Sequence, residues 1–157
     1  MKNIYVYLVL FLLAFSIAGY SQSKSFLTLQ DRFEGRKDVT HLNISSFFVR
    51  MALCLASEDL NSDEISNIGR LHLMVIPKDH FAADGVTLNG YIRFVEKKDS
   101  FEELINIKDK KDNVRLFVKT RDKYTSRYLL LVDDEDEVVA IEFSGNINPD
   151  KLFSSKV

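Results

Sequence analysis

The sequence predicts an α+β fold: a mainly antiparallel sheet of about six strands, with helices packed mostly on one face. Three observations predict it. The stretch Phe101–Ile147 alternates apolar and polar residues at period 2 through four segments, rich in β-branched and aromatic side chains. Short charged turns separate those segments, and short turns join antiparallel neighbours. Upstream, helical periodicity prevails with only two more period-2 stretches, so helices concentrate early and strands late.

In chain order, Lys2 and the apolar run Ile4–Ile17 come first, followed by the small residues Ala18, Gly19 and Ser21. That is the layout of a secretory signal peptide. The run is short for a full membrane span, which needs ~20 residues. The expected organisation is therefore a signal peptide over 1–21, cleaved so that the chain begins at Gln22, and one α+β domain over 22–157. Membrane contact is expected only through the signal segment before cleavage.

Ser25–Arg36 reads as a short amphipathic helix, with Phe26, Leu29 and Phe33 at helical spacing. Asp38–Ser45 switches to period 2 and reads as the first strand. Ser46–Ala56 returns to helix, its apolar stripe formed by Phe47, Phe48, Met51, Ala52 and Leu55. Asn61 and Glu64 have the spacing of a capping box and predict another helix start. Leu71–Ile76 is apolar on both faces except at His72, as strands interior to a sheet are, and Pro77 stops it. Leu88, Tyr91, Ile92 and Val95 predict a helix around Thr87–Lys97.

The meander follows. Its first strand is ambiguous: Ile105 and Ile107 alternate, but Phe101, Leu104 and Ile105 also suit one helix face. The others carry Val114/Leu116/Val118, Tyr128/Leu130/Val132 and Val139/Ile141/Phe143 on one side. That side is expected to be the helix-covered core. The reverse side mixes Arg115, Lys119 and Glu142 with Phe117, Leu129, Leu131, Val138 and Ala140. It is too apolar to be simply solvated, so partial cover by a helix, a dimer contact or a partner is expected there, with those five apolar residues the candidate surface for a protein partner or a homodimer. In this order the first and third turns share one end of the sheet. Lys108, Lys110 and Lys111 then oppose Asp133–Glu137. Asn148-Pro149 predicts a short C-terminal helix.

The composition excludes more than it assigns. The 157 residues are 46% hydrophobic and 28% charged, an ordinary globular balance for one domain. A formal charge of −2 gives no basic excess to advertise nucleic-acid binding. Cys54 is the only cysteine, so an internal disulfide and a multi-cysteine zinc site are both excluded. In mid-helix, it is expected to be an inert core thiol.

His41 and His72 would approach each other if their strands pair, and with a carboxylate they could hold a metal. Neither has a recognised metal-motif spacing, and half-exposed strand histidines are the expectation. Asp133–Glu137 lacks the glycine and terminal glutamate of an EF-hand, so it is expected to be a wet hairpin tip. No glycine-rich phosphate loop or nucleophile elbow is present. The expectation is no catalytic set, no cofactor and no metal.

The strands FEELINIKDKKDNVRLFVK and YLLLVDDEDEVVAIEFSGNI, with VTHLNISSFFVRM and RLHLMVI upstream, resemble bacterial domain-of-unknown-function family 4252. The resemblance covers most of the chain after the leader. It implies a small exported protein with no assigned activity and no catalytic residues to carry over. Many relatives look like lipoproteins, but no cysteine stands near this cleavage boundary. The expected role is a non-enzymatic protein of the periplasm or cell envelope of a Gram-negative bacterium, acting by protein contact. The alternatives are a small-ligand or lipid carrier with a pocket between sheet and helices, and a hydrolase with an unrecognised site.

Overall fold

The computed structural model describes residues 22–56, 67–109, 111–121 and 125–146, without the side chains of 53–56. The expected signal peptide, the helix starts at Asn61 and Asn148, and the Cys54 side chain lie outside these. The elements are α1 (Lys24–Phe33), β1 (Thr40–Ile44), α2 (Ser46–Ala56), β2 (Leu71–Pro77), α3 (Lys78–Ala83) and α4 (Leu88–Lys97). The meander follows as β3 (Glu102–Lys108), β4 (Asn113–Thr120), β5 (Ser126–Asp133) and β6 (Glu137–Gly145). They form one antiparallel sheet in the order β1-β2-β6-β5-β4-β3. The fold class, the six strands and the C-terminal meander are as the sequence predicts.

The sheet's two faces are assigned the other way round from the expectation. Phe117, Leu129, Leu131, Val138 and Ala140 are buried in the main core, with Met74 and Ile76 from β2. Phe26, Leu29 and Phe33 of α1, Phe81 of α3, and Tyr91, Ile92 and Val95 of α4 complete the same core. Of the expected covers for the five residues, the chain's own helices are the one found, in place of a partner or a second copy, and the cover is full rather than partial. The physical reason is that β4, β5 and β6 are apolar on both faces, so alternation fixes the period without choosing the side.

The opposite face is also apolar. One row across the strands runs Leu42, Leu73, Ile141, Leu130, Leu116, Ile105. A second runs Thr40, Val75, Val139, Val132, Val114, Ile107. A third runs Ile44, Leu71, Phe143, Tyr128, Val118, Glu102, with Tyr128 stacked on Phe143 at 5.1 Å. Most of these side chains are half-buried, while Leu42 and Ile107, on the two edge strands, are exposed.

Three local features depart from the sequence reading. The pairing register of β3 shifts between Glu103 and Ile105, a bulge that turns Leu104 to solvent. That extra residue is why the segment also looked helical. Pro77 is the last residue of β2, opposite Glu137, and serves as N-cap of α3. The six residues of α3 are too few to show a helical period, and only Phe81 among them is buried.

The paired turns do meet. Lys111 Nζ lies 3.2 Å from Glu135 Oε2, joining the β3–β4 turn to the β5–β6 turn. Both side chains are well exposed, so a double-mutant cycle of Lys111→Glu and Glu135→Lys should give a coupling of only ~0.2–1 kcal/mol at low salt. It should vanish at ~1 M salt, where the screening length is ~3 Å.

Candidate functional site

Polar side chains converge where α1 begins. Ser23 is the N-cap, and its hydroxyl accepts from the Phe26 amide at 3.0 Å, a routine way to satisfy a first-turn N–H. Ser23 and Ser25 are also bonded from other elements. The Ser23 amide donates to Glu142 Oε1 at 2.8 Å, and the Ser23 hydroxyl donates to Glu142 Oε2. The Ser25 amide and hydroxyl each donate to Asp99 Oδ2 at 2.7 Å. Tyr91 donates to the Ser25 carbonyl at 2.9 Å. Both carboxylates face the positive end of the helix dipole, where negative charge is favoured.

Each carboxylate also has a cation. Lys119 Nζ donates to Asp99 Oδ1 at 2.8 Å. Arg127 Nε lies 4.0 Å from Glu142 Oε1, too far for a hydrogen bond. Glu142, Asp99 and Arg127 are all buried. Burial pushes the Glu142 carboxyl up, against the pull of Ser23 and Arg127. Burial also pushes Asp99 up, but Lys119 and the two Ser25 bonds outweigh it and hold that carboxyl below its usual range. Burial, then Glu142 and Asp99, raise the Tyr91 hydroxyl well above its ordinary value. The Arg127 guanidinium is pushed down by burial and by Arg121, with Glu142 opposing.

The cluster therefore docks a helix terminus onto one end of the sheet, with its carboxylates occupied by first-turn donors. Beside it lies a pocket of about 210 Å³, lined by Gln22, Ser23, Lys24, Asp99, Lys119, Arg121 and Arg127.

His41 and His72 lie on the covered face. His72 is paired with Asn43 on one side and Glu142 on the other. Its Nδ1 hydrogen-bonds the Asn43 side-chain oxygen and lies 2.9 Å from Gln22 Nε2. His72 is buried rather than half-exposed, because the Phe26 ring covers it at 5.7 Å. The same ring lies 6.1 Å from His41, which contacts Glu34 Oε1 through Nδ1 at 2.7 Å. That bond from His41, then one from Gln30, hold the Glu34 carboxyl low. The two histidines thus share a neighbour, as the strand pairing predicted. Among the described residues, no three His, Cys, Asp or Glu side chains form a group able to hold a metal ion. His80 Nε2 donates to the Lys37 carbonyl at 2.8 Å. In the acidic turn, Asp134, Glu135 and Asp136 are exposed, and the Asp134 amide closes onto the Glu137 carbonyl at 3.1 Å.

The sequence reading did not single out Ser23, Ser25, Asp99 or Arg127 as a site and placed Glu142 on the reverse face, away from the expected core. A signal was present: Arg127 is in phase with Leu129 and Leu131, and Glu142 with Val138 and Ala140. Opposite charges on neighbouring strands, in phase with apolar residues, are the pattern of a buried pair.

An uncovered apolar corner lies elsewhere. Leu42 of β1 and Phe47, Phe48 and Met51 of α2 are 49%, 67%, 57% and 45% exposed. One residue, Ser45, separates strand from helix, so these side chains belong to one region. The Phe47 and Phe48 rings meet edge to face at 5.5 Å.

Fold and site together define a small α+β protein with a buried ionic dock and an exposed apolar corner. The family model described as Domain of unknown function (DUF4252) matches residues 33–154, and the chain belongs to that family. Comparison with curated proteins and with solved structures gave no match.

Proposed function

We infer that this is an exported, non-enzymatic protein of the cell envelope that acts by protein contact through the β1–α2 corner. Export is supported by the charged and apolar leader that ends in small residues before Gln22. The observation that carries the contact is the exposure of Leu42, Phe47, Phe48 and Met51 together. Adjacent apolar side chains left in water mark interaction sites, and aromatic residues and methionine are enriched at them. The occupant is a different protein that binds transiently. By themselves the four side chains offer less than the ~800 Å² per partner of a standard stable interface, as transient contacts do. The other edge strand, β3, is defended by Glu102, Glu103, Lys108 and its bulge, as edges that avoid pairing are.

A photo-crosslinking amino acid at position 48, in cells, tests this reading. A discrete protein adduct is expected from position 48 and not from Arg93, an exposed residue of α4. Met51→Glu should abolish the adduct while leaving the unfolding midpoint within about 0.5 kcal/mol of the parent. The same adducts from both positions, or lipid adducts alone, would overturn the reading.

A further inference from the structure

We propose that the pocket at the start of α1 binds a small oxyanion of the phosphate class, with Arg127 as its principal ligand. Four cationic side chains line it: Lys24, Lys119, Arg121 and Arg127. Asp99 is the one carboxylate on its wall, and Lys119 already pairs with it. Lys24 and Arg121 thus remain in excess at the pocket, beside the positive end of a ten-residue helix.

The independent observation is Arg127 itself. It is only 7% exposed, and its Nε has no hydrogen-bond partner. The neighbouring carboxylate does not supply one: Glu142 Oε1 lies 4.0 Å away, beyond hydrogen-bond reach, while its oxygens accept from Ser23. A buried donor left unpaired is costly, and a guanidinium presents a planar fork suited to phosphate or carboxylate oxygens. The register holds that fork in place, with Arg127 between Ser144 on β6 and Lys119 on β4. A phosphate entering from Gln22 and Lys24 would meet the Arg127 guanidinium where it lines the pocket, with Arg121 and Lys24 at the rim. The pocket has room for a phosphate group and a few further atoms, not for a lipid tail. Free phosphate compounds and lipid headgroups present the same oxyanion. This site is separate from the β1–α2 corner and does not depend on it.

The test is a titration of the purified protein with inorganic phosphate at constant ionic strength, followed by the arginine side-chain Nε–Hε signals in ¹⁵N NMR. A saturable shift of the Arg127 signal is expected below ~10 mM phosphate, with no such shift on adding chloride. Arg127→Lys, which keeps the charge and loses the fork, should abolish the accompanying saturable shift of the Arg121 signal. Lys24→Ser and Arg121→Ser alter only exposed side chains, so they keep the test valid if Arg127→Lys fails to fold. Each should weaken phosphate by about 2–5-fold.

Sedimentation with phosphatidylglycerol vesicles separates the two sources. Vesicle binding that phosphate displaces and Arg121→Ser weakens assigns the site to a headgroup. Phosphate binding without vesicle binding assigns it to a soluble ligand. No saturable shift, or a shift equal to that from chloride, means that water alone fills the pocket and overturns the proposal.

Discussion

Phe117→Ala should lower the stability of this protein by about 3–5 kcal/mol, the range for emptying a large buried aromatic site. Phe117 has no solvent exposure and lies in the core of the covered face, opposite Leu129. Leu130→Ala, one residue away in β5 but on the other side of the sheet, should cost about half as much or less. Leu130 is only half-buried, and its surroundings can relax toward solvent. Urea unfolding of both variants measures the difference. Equal costs, or a larger one at Leu130, would show that the faces are assigned the wrong way round. Leu131→Asp should be at least as damaging as Phe117→Ala, because it puts an unpaired carboxylate into the same core.

The second large effect is a loss of stability in weak acid that depends on His72. Burial, then the nearby cations Arg70, His41 and Arg127, push its pKa down to about 4. The unfolded chain, with an ordinary pKa of ~6.5, therefore binds the proton more readily than the folded one between pH ~6.5 and ~4. Stability contributed by neutral His72 is complete above pH ~6.5 and is lost as pH falls through that window, by at most about 3 kcal/mol. Glu142 acts in the opposite direction. Its raised carboxyl takes up a proton more readily when folded, so acidification toward pH ~4.5 favours the folded state. Asp99, held low, loses its contribution only below the ordinary carboxylate range.

His72→Gln removes the first effect and leaves the second. Urea midpoints from pH ~7.5 to ~4.5 should fall for the parent and stay level or rise for the variant. The same fall in both would place the acid-sensitive group elsewhere.

The element order was legible because it rests on periods. The chemistry of Ser46–Ala56 and of the meander strands repeats at 3.6 and 2.0 residues, and those elements stand where the periods put them. The side of the sheet was not legible. Leu129, Leu131, Val138 and Ala140 are no more apolar than Tyr128, Leu130, Val139 and Ile141, so only the helices decide between them. That decision is made partly by polar groups: the first turn of α1 needs acceptors, and Glu142 and Asp99 supply them. A reading that sends charges to solvent puts Glu142 outside and inverts the sheet. The apolar corner was not legible for a related reason. Phe47, Phe48 and Met51 fall on one helical stripe, and such a stripe normally faces a core. Here it remains exposed, and that exposure makes the corner the candidate contact surface.

The most direct measurement of that claim is thiol protection at Phe48. In a Cys54→Ser background, Phe48→Cys and Arg93→Cys are labelled with a maleimide, in purified protein and in freshly prepared envelope. The account predicts fast labelling of both thiols in purified protein. In envelope it predicts protection of the thiol at position 48, by about 10-fold or more for a bound partner, with undiminished labelling at position 93. Equal labelling of position 48 in both preparations would mean that nothing covers the β1–α2 corner where the protein works, and would contradict the account.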